Sequence, residues 1–179
     1  MKTIDLTKTL TDGMEVYPGD PEVVVRVVSE ISDSGWRQQQ LSFSGHQGTH
    51  VNVPAHCVED GRTLDDYNLE SFSGEAVLYE TDDDIQPGVG IIFKADVEVN
   101  ERLADVIIKQ KPRFVGFSVS LASDDELILE KKTLAAGIIL YEQLANTDKL
   151  PKKFMFYGVP LKLEAGDGSP VRAFAVVSK

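Results

Sequence analysis

The sequence has little cysteine and no long hydrophobic run. Its one cysteine, Cys57, leaves no partner for an internal disulfide framework. No stretch approaches the roughly 20 consecutive apolar residues that a transmembrane helix needs. The N-terminal MKTIDLTKTL also lacks the apolar run of a signal peptide. We therefore expect a cytoplasmic protein that does not enter the membrane.

Basic residues are scarce relative to acidic ones. Lys and Arg number 18 against 29 Asp and Glu, which gives a formal net charge of −11. This charge argues against nucleic acid or an anionic membrane as the main partner. The 179 residues, of which 42% are hydrophobic, suffice for an ordinary core, and we predict a single domain over residues 1–179.

Histidine is also rare, but all three histidines lie in one segment of eleven residues, HQGTHVNVPAH, as His46, His50 and His56. Histidine is a common metal ligand and the usual general base near neutral pH. A single histidine would more often be structural or solvated. Metal ligation needs several donors that converge, and this segment supplies them, so it indicates a functional site.

A glycine and a proline within the histidine segment argue against a long helix there. We predict a turn at Gln47–Gly48 followed by an extended segment from Thr49 to Ala55. Alternate side chains of an extended segment share a face, which would place His50, Asn52 and His56 on one side of a cavity. The turn would allow the first histidine to join them.

Cys57 directly follows His56, and such a pair raises the question of a cysteine nucleophile. Neighbouring side chains of an extended segment face opposite sides, so the two cannot form a dyad directly. We expect Cys57 to be a small, buried apolar residue.

The first half of the chain is rich in strand patterns, and the second half alternates helices with strands. The predicted strands of the first half are Thr3–Thr9, Val23–Ile31, Gln38–Ser44, Ala76–Glu80 and Gly90–Phe93. In the second half we predict one helix that Asn100 caps and that runs to Gln110, and another from the capping box at Ser123 to about Ala136. The strands there are Phe114–Val119, Ile138–Tyr141, Phe154–Tyr157 and Ala173–Val177. This order predicts an α/β fold with one mixed sheet and helices packed on it.

The histidine segment resembles the HxGTHxDxPxH signature of the cyclase family of metal-dependent hydrolases, which includes bacterial kynurenine formamidase (arylformamidase). The resemblance extends over essentially the whole chain. Its further motifs are DLT at 5–7, YPGD at 17–20, EDGRT at 59–63, PLKLE at 160–164 and SPVRA at 169–173. It implies the swivelling β/β/α fold of that family. It also implies hydrolysis of the C–N bond of a small amide, either arylformamidase-like or by opening of a cyclic amide.

The resemblance also implies the roles of individual residues. By position, the metal ligands would be His46, His50, Asn52, Glu130 and Glu142. His56 matches a histidine proposed as the proton shuttle, and Tyr17 occupies the position of a tryptophan that stacks on the substrate. We expect Thr49 and Ser169 to hydrogen-bond groups that surround the ligands. The implied cofactor is a divalent metal, zinc or manganese.

Two positions depart from the family pattern. Asn52 stands where the family has a bridging aspartate, and Glu130 stands where it usually has a histidine. Asparagine is a neutral and weaker donor than aspartate. However, Glu130 and Glu142 together keep the two carboxylates that the pattern provides. We therefore predict one tightly held ion and a second that is weak or absent. Without the positional match, the neighbouring Lys131 and Lys132 would favour a surface position for Glu130.

The sequence is compatible with three classes of function. The leading hypothesis is a metal-dependent amide hydrolase in which His56 moves protons, and the alternative is a catalytically degenerate relative that binds a metal or a small ligand without turnover. An interaction protein would leave the histidine segment as an ordinary loop. The resemblance also implies a small-molecule amide as substrate and a homodimer or homotetramer.

Overall fold

Eleven strands form the framework of the computed structural model, which describes residues 1–177. In chain order they are β1 Lys2–Asp5, β2 Val24–Ser29, β3 Gln38–Ser42, β4 His50–Asn52, β5 Ser73–Leu78, β6 Gly90–Phe93, β7 Phe114–Phe117, β8 Ile139–Glu142, β9 Lys153–Tyr157, β10 Gly168–Pro170 and β11 Phe174–Val177. Nine strands form one sheet in the order β1-β11-β9-β5-β6-β7-β8-β4-β10. The remaining two, β2 and β3, form a separate antiparallel hairpin.

Three α-helices accompany these strands, namely α1 Ile31–Ser34, α2 Glu101–Gln110 and α3 Asp124–Ala135. The short 3-10 helices are Pro54–His56, Leu64–Asp66, Leu69–Phe72, Asp82–Asp84 and Thr147–Lys149. The predicted caps are confirmed: Asn100 Oδ1 accepts a hydrogen bond from the Leu103 amide at 3.0 Å, and Ser123 forms a capping box with Glu126. Within residues 1–177, none of the helices has the length and apolar character needed to cross a membrane.

The centre of the sheet is parallel and its flanks are antiparallel. Strands β5 to β8 run parallel, and the residues of β6, β7 and β8 are all buried. Parallel strands that are covered on both faces consist of short apolar runs, and this explains the sequences GIIF of β6 and FVGF of β7. Leu103 and Ile107 of α2 and Leu129 of α3 belong to the hydrophobic cluster on one face. The predicted mixed-sheet α/β fold is therefore confirmed.

Most strands are shorter than predicted, and one difference has a clear local cause. The predicted strand Val23–Ile31 ends at Ser29, because Ile31 begins the single turn of α1. Gly35 closes that turn with a φ of 80°, a left-handed conformation that glycine adopts without steric cost. Helix α1 then leads directly into β3.

The sheet order brings the histidine segment to the end of β8. Strand β4 pairs antiparallel with β8, which places His50 opposite Glu142. On its other side β4 pairs with β10, which places Asn52 opposite Gly168. Helix α3 packs on β8 and on the Pro54–His56 turn. Four separate stretches of sequence therefore meet at one place.

Candidate metal centre

His50 and Glu142 form the buried base of the site. Their side chains are 3% and 6% exposed, and His50 Nε2 lies 3.8 Å from Glu142 Oε1. The other ring nitrogen, Nδ1, lies 2.9 Å from the Gly48 carbonyl oxygen, which can only accept, so Nδ1 carries the hydrogen. Burial lowers the pKa of His50 to about 4. The ring is therefore neutral near pH 7, and its Nε2 offers a lone pair to a metal.

The extended conformation predicted for Thr49–Ala55 is wrong beyond β4. Pro54 begins a 3-10 turn instead, in which the His56 amide donates to the Val53 carbonyl at 2.9 Å. The fixed φ of proline suits the first position of such a turn. The turn, rather than strand alternation, brings His56 to the site. The predicted burial of Cys57 is also wrong, because this residue is exposed just after the turn.

Asn52 connects the two glutamates. Its Nδ2 donates to Glu130 Oε1 at 2.7 Å and to Glu142 Oε1 at 3.0 Å. Helix α3 carries Glu130 into this position, where the residue is 6% exposed. The surface position that the neighbouring lysines favoured is therefore wrong. The structure brings both carboxylates into one cluster with Asn52.

These two carboxylates have no lysine or arginine partner within ion-pair distance among residues 1–177. Glu142 Oε2 accepts a hydrogen bond from the Leu121 amide at 2.8 Å. Burial, and then the charge of Glu130, raise the pKa of Glu142 to about 8. Buried charges without a counter-charge are costly, so this cluster favours the arrival of a cation.

His46 lies between the buried cluster and Asp167. Its Nδ1 is 2.9 Å from Asn52 Oδ1, and its Nε2 is 2.9 Å from Asp167 Oδ2. The rings of His46 and His56 lie against each other with centroids 3.9 Å apart. His56 Nδ1 is 3.4 Å from the same Asp167 oxygen. Donor atoms of His46, His56 and Asp167 thus all lie within 4.8 Å of one another.

Sequence reasoning missed Asp167. The closing motif SPVRA begins two residues later, at Ser169. The signal in the sequence was the pair of glycines on either side, Gly166 and Gly168. A Cβ at Gly168 would lie 2.5 Å from His46 Cε1, so the bare backbone allows the imidazole to approach. Burial alone would raise the pKa of Asp167, but the hydrogen bond and charge of His46 lower it below its usual value.

A cavity of about 310 Å³ opens in front of these groups. Tyr17, which is 51% exposed, lines it together with the three histidines and both buried glutamates. Leu121 and Leu127 supply apolar lining. A second cavity of about 360 Å³ shares Tyr17 and reaches Lys8. The structure therefore places Tyr17 beside the predicted metal ligands.

The hydroxyl groups of Thr49 and Ser169 stabilise the surrounding backbone. Thr49 Oγ1 donates to the Gln143 carbonyl at 2.7 Å and accepts from the Lys8 amide at 2.9 Å. Ser169 Oγ donates to the Pro170 carbonyl at 2.9 Å and accepts from the Leu161 amide at 3.1 Å. Neither hydroxyl forms a hydrogen bond with a predicted ligand side chain in the part of the chain that the structure describes. They fix the chain segments next to Glu142 and in β10.

Several known proteins resemble this chain over nearly its whole length. A kynurenine formamidase of Salinibacter ruber is 27% identical over 97% of this chain and 96% of its own length. The solved structure of a "predicted metal-dependent hydrolase" from Bacillus stearothermophilus is 25% identical, with a TM-score of 0.78 over 97% of both chains. Isatin hydrolase A from Labrenzia aggregata shares the fold, with a TM-score of 0.83 at 19% identity, over 99% of this chain and 94% of its own.

The Cyclase family, described as "Putative cyclase", matches residues 4–120. This match includes the whole histidine segment and covers more than half of the chain. The resemblance inferred from that segment is confirmed, and this chain belongs to the cyclase family.

Proposed function

We propose that this protein is a metal-dependent hydrolase that cleaves the C–N bond of a small amide with one divalent cation per chain. The observation that carries the proposal is the buried cluster, in which Glu142 lies beside the unprotonated nitrogen of His50 and shares Asn52 with Glu130. Neither carboxylate has a lysine or arginine partner among residues 1–177. The relatives named kynurenine formamidase, which match over almost their full length, support the amide chemistry.

The donor atoms fit a single divalent cation. His46 Nδ1 and Asn52 Oδ1 are 2.9 Å apart, a separation suited to two ligands of one ion. His50 Nε2 and Glu142 Oε1 would complete the set. Nitrogen and oxygen donors of this kind suit zinc or manganese.

The position of Asn52 also explains why we propose one ion rather than two. Its Nδ2 already provides hydrogens to both Glu130 and Glu142. These N–H groups occupy the space between the two carboxylates, where a second cation would otherwise compensate their charge. Glu130 would then support the site through Asn52 rather than as a direct ligand. The second ion is expected to be weak or absent.

A divalent cation supplies hydroxide near neutral pH by lowering the pKa of water, and it polarises the carbonyl oxygen of an amide. His56 lies at the edge of the cavity with a side chain that is 30% exposed, so it can reach both water and substrate. We propose that His56 takes the proton from the attacking water and delivers it to the leaving nitrogen. Water thereby adds across the C–N bond, giving a carboxylate and an amine. Tyr17 would contact the part of the substrate that lies outside the metal centre.

A second candidate is a relative that binds a metal or small ligand without turnover. The hydrogen bonds from Asn52 favour it, because they hold both carboxylates together without requiring an ion. The two candidates differ in what His56 does. An enzyme needs this histidine for proton transfer, whereas a binding protein does not.

The test is a screen of the zinc- and manganese-loaded protein against aryl formamides and cyclic amides, with three variants. His56→Ala should abolish turnover while the metal stays bound, and His50→Ala should lose both metal and turnover. Cys57→Ala, at the exposed position next to His56, is the matched control and should keep both. Loss of the metal in His56→Ala would make His56 a ligand. A fully loaded protein that hydrolyses none of these substrates would favour the non-catalytic candidate.

We also propose that the protein forms a homo-oligomer, a homodimer or homotetramer, through the β2–β3 hairpin. Five large apolar side chains around the hairpin are exposed, namely Val27, Val28, Ile31, Trp36 and Leu41, and Trp36 is 79% exposed. A two-stranded hairpin is only marginally stable in water by itself. Contact with a second copy of the chain would cover these side chains and support the hairpin.

A further inference from the structure

We propose that Asp167 is a positioning residue that fixes which ring nitrogen carries hydrogen on both His46 and His56. The inference rests on the proposed function, because it assigns a role at the same metal site. It goes beyond the ligands and the proton carrier by naming the group that prepares both histidines for their tasks.

One carboxylate oxygen serves both rings. Asp167 Oδ2 lies 2.9 Å from His46 Nε2 and 3.4 Å from His56 Nδ1. An ionised carboxylate can only accept hydrogen bonds, so each nitrogen that faces it carries a hydrogen. In a neutral imidazole the other nitrogen is then the one with the lone pair. Asp167 thereby selects the Nε2–H form of His46 and the Nδ1–H form of His56.

Both selected forms direct a lone pair into the site. In His46 the nitrogen that keeps its lone pair is Nδ1. It faces Asn52 Oδ1, where we place the ion. In His56 the nitrogen that keeps its lone pair is Nε2, which lies 3.7 Å from Glu130 Oε1. Such a carboxylate behind a ligating histidine fixes the tautomer and the orientation of the ring. The Gly48 carbonyl does the same for His50.

The backbone around Asp167 is held on both sides, which makes its side chain a fixed partner. The Asp167 carbonyl accepts a hydrogen bond from the Val53 amide at 3.1 Å, and the Gly166 carbonyl accepts one from the Leu64 amide at 2.8 Å. The Ala165 amide donates to Asp65 Oδ2 at 2.7 Å. These bonds anchor the residue to the segments on either side of the Pro54–His56 turn. The carboxylate is therefore placed in advance of ion binding.

The experiment compares the full-length wild-type protein with Asp167→Ala, Asp167→Asn and Asp65→Asn. Asp65→Asn is the matched control, because it weakens the anchor of the same loop without touching a histidine. Nitrogen-15 NMR of the imidazole rings reports which nitrogen carries hydrogen, and the chain has only three histidines to assign. Competition with a chelator gives the affinity for zinc. Steady-state kinetics on any amide substrate found separates kcat from KM.

We expect Asp167→Ala to weaken zinc binding about 10- to 100-fold, as is typical when a carboxylate behind a ligating histidine is lost. His56 should change from the Nδ1–H to the Nε2–H form, and kcat should fall more than KM changes. Asp167→Asn keeps an acceptor oxygen and should restore the His56 form, while Asp65→Asn should resemble the wild type.

An Asp167→Ala protein with unchanged zinc affinity, or one in which His56 keeps its Nδ1–H form, would overturn the inference. Equal losses in Asp65→Asn would overturn it too, because the effect would then come from the loop. Failure of the proposed function can be told apart from failure of this inference about Asp167. If the wild-type protein binds no zinc, that proposal fails, while the spectra of the metal-free protein still decide the role of Asp167.

Discussion

Replacing Glu142 by glutamine should stabilise the metal-free protein and abolish metal binding. The free energy follows from the pKa of Glu142, which burial and the charge of Glu130 raise from 4.5 to about 8. A carboxyl group whose pKa is raised on folding contributes its full stability below pH 4.5, and the contribution is lost as the pH rises through about 8. At pH 7 the folded protein keeps on Glu142 a proton that the unfolded chain has released, and this costs about 3 kcal/mol. A neutral glutamine avoids that cost.

The same reasoning predicts how the gain depends on pH. At pH 5.5 the cost of Glu142 falls to about 1 kcal/mol, so the advantage of Glu142→Gln should shrink accordingly. The side-chain oxygen of glutamine can still accept from the Leu121 amide, which limits other losses. For a chain of this size, about 3 kcal/mol corresponds to a rise in Tm of about 6–12 °C.

The assay is urea denaturation of the chelator-treated protein at pH 7 and pH 5.5. Glu75→Gln, at an exposed position on β5, is the matched control and should change the free energy of unfolding by no more than about 0.5 kcal/mol. A Glu142→Gln protein that is no more stable than the wild type at pH 7, or whose advantage does not shrink at pH 5.5, would refute the reasoning. Zinc should stabilise the wild type and leave Glu142→Gln unchanged.

Three further changes test neighbouring features. Gly168→Ala puts a Cβ 2.5 Å from His46 Cε1 and should displace the ring; we expect a loss of about 1–3 kcal/mol in stability and weaker zinc binding in chelator competition. Asn52→Asp removes the amide hydrogens between the two buried glutamates and adds a third carboxylate. It should lower the Tm of the metal-free protein and raise zinc content from one ion toward two, and an unchanged content would contradict the role given to the amide. Trp36→Ser should shift the mass measured by light scattering from oligomer toward monomer, whereas an unchanged oligomer would place the interface elsewhere.

Local signals in the sequence were sufficient for much of the fold. Helices α2 and α3 begin where Asn100 and Ser123 indicate, because a cap acts on backbone groups within three residues of itself. The buried parallel strands were recognisable as short apolar runs. The Pro54–His56 turn was missed because an alternating pattern and a proline-initiated turn both place His56 on the same side.

The site itself depended on contacts that distant segments make. Glu130 is 78 residues from Asn52 along the chain, and only the packing of α3 on β8 shows that it is buried. Asp167 is 121 residues from His46, and the two glycines that flank it do not show which side chains its carboxylate contacts. The resemblance supplied the positions of the ligands. It could not supply the hydrogen bonds that assign each ring nitrogen.

The central claim is that this site holds one divalent cation per chain. The most direct measurement is elemental analysis of the purified, tag-free protein, before and after reloading with zinc or manganese, with His50→Ala in parallel. The account predicts about one ion per chain in the reloaded wild type and none retained by His50→Ala. Two ions per chain, or no retained ion after reloading, would contradict it.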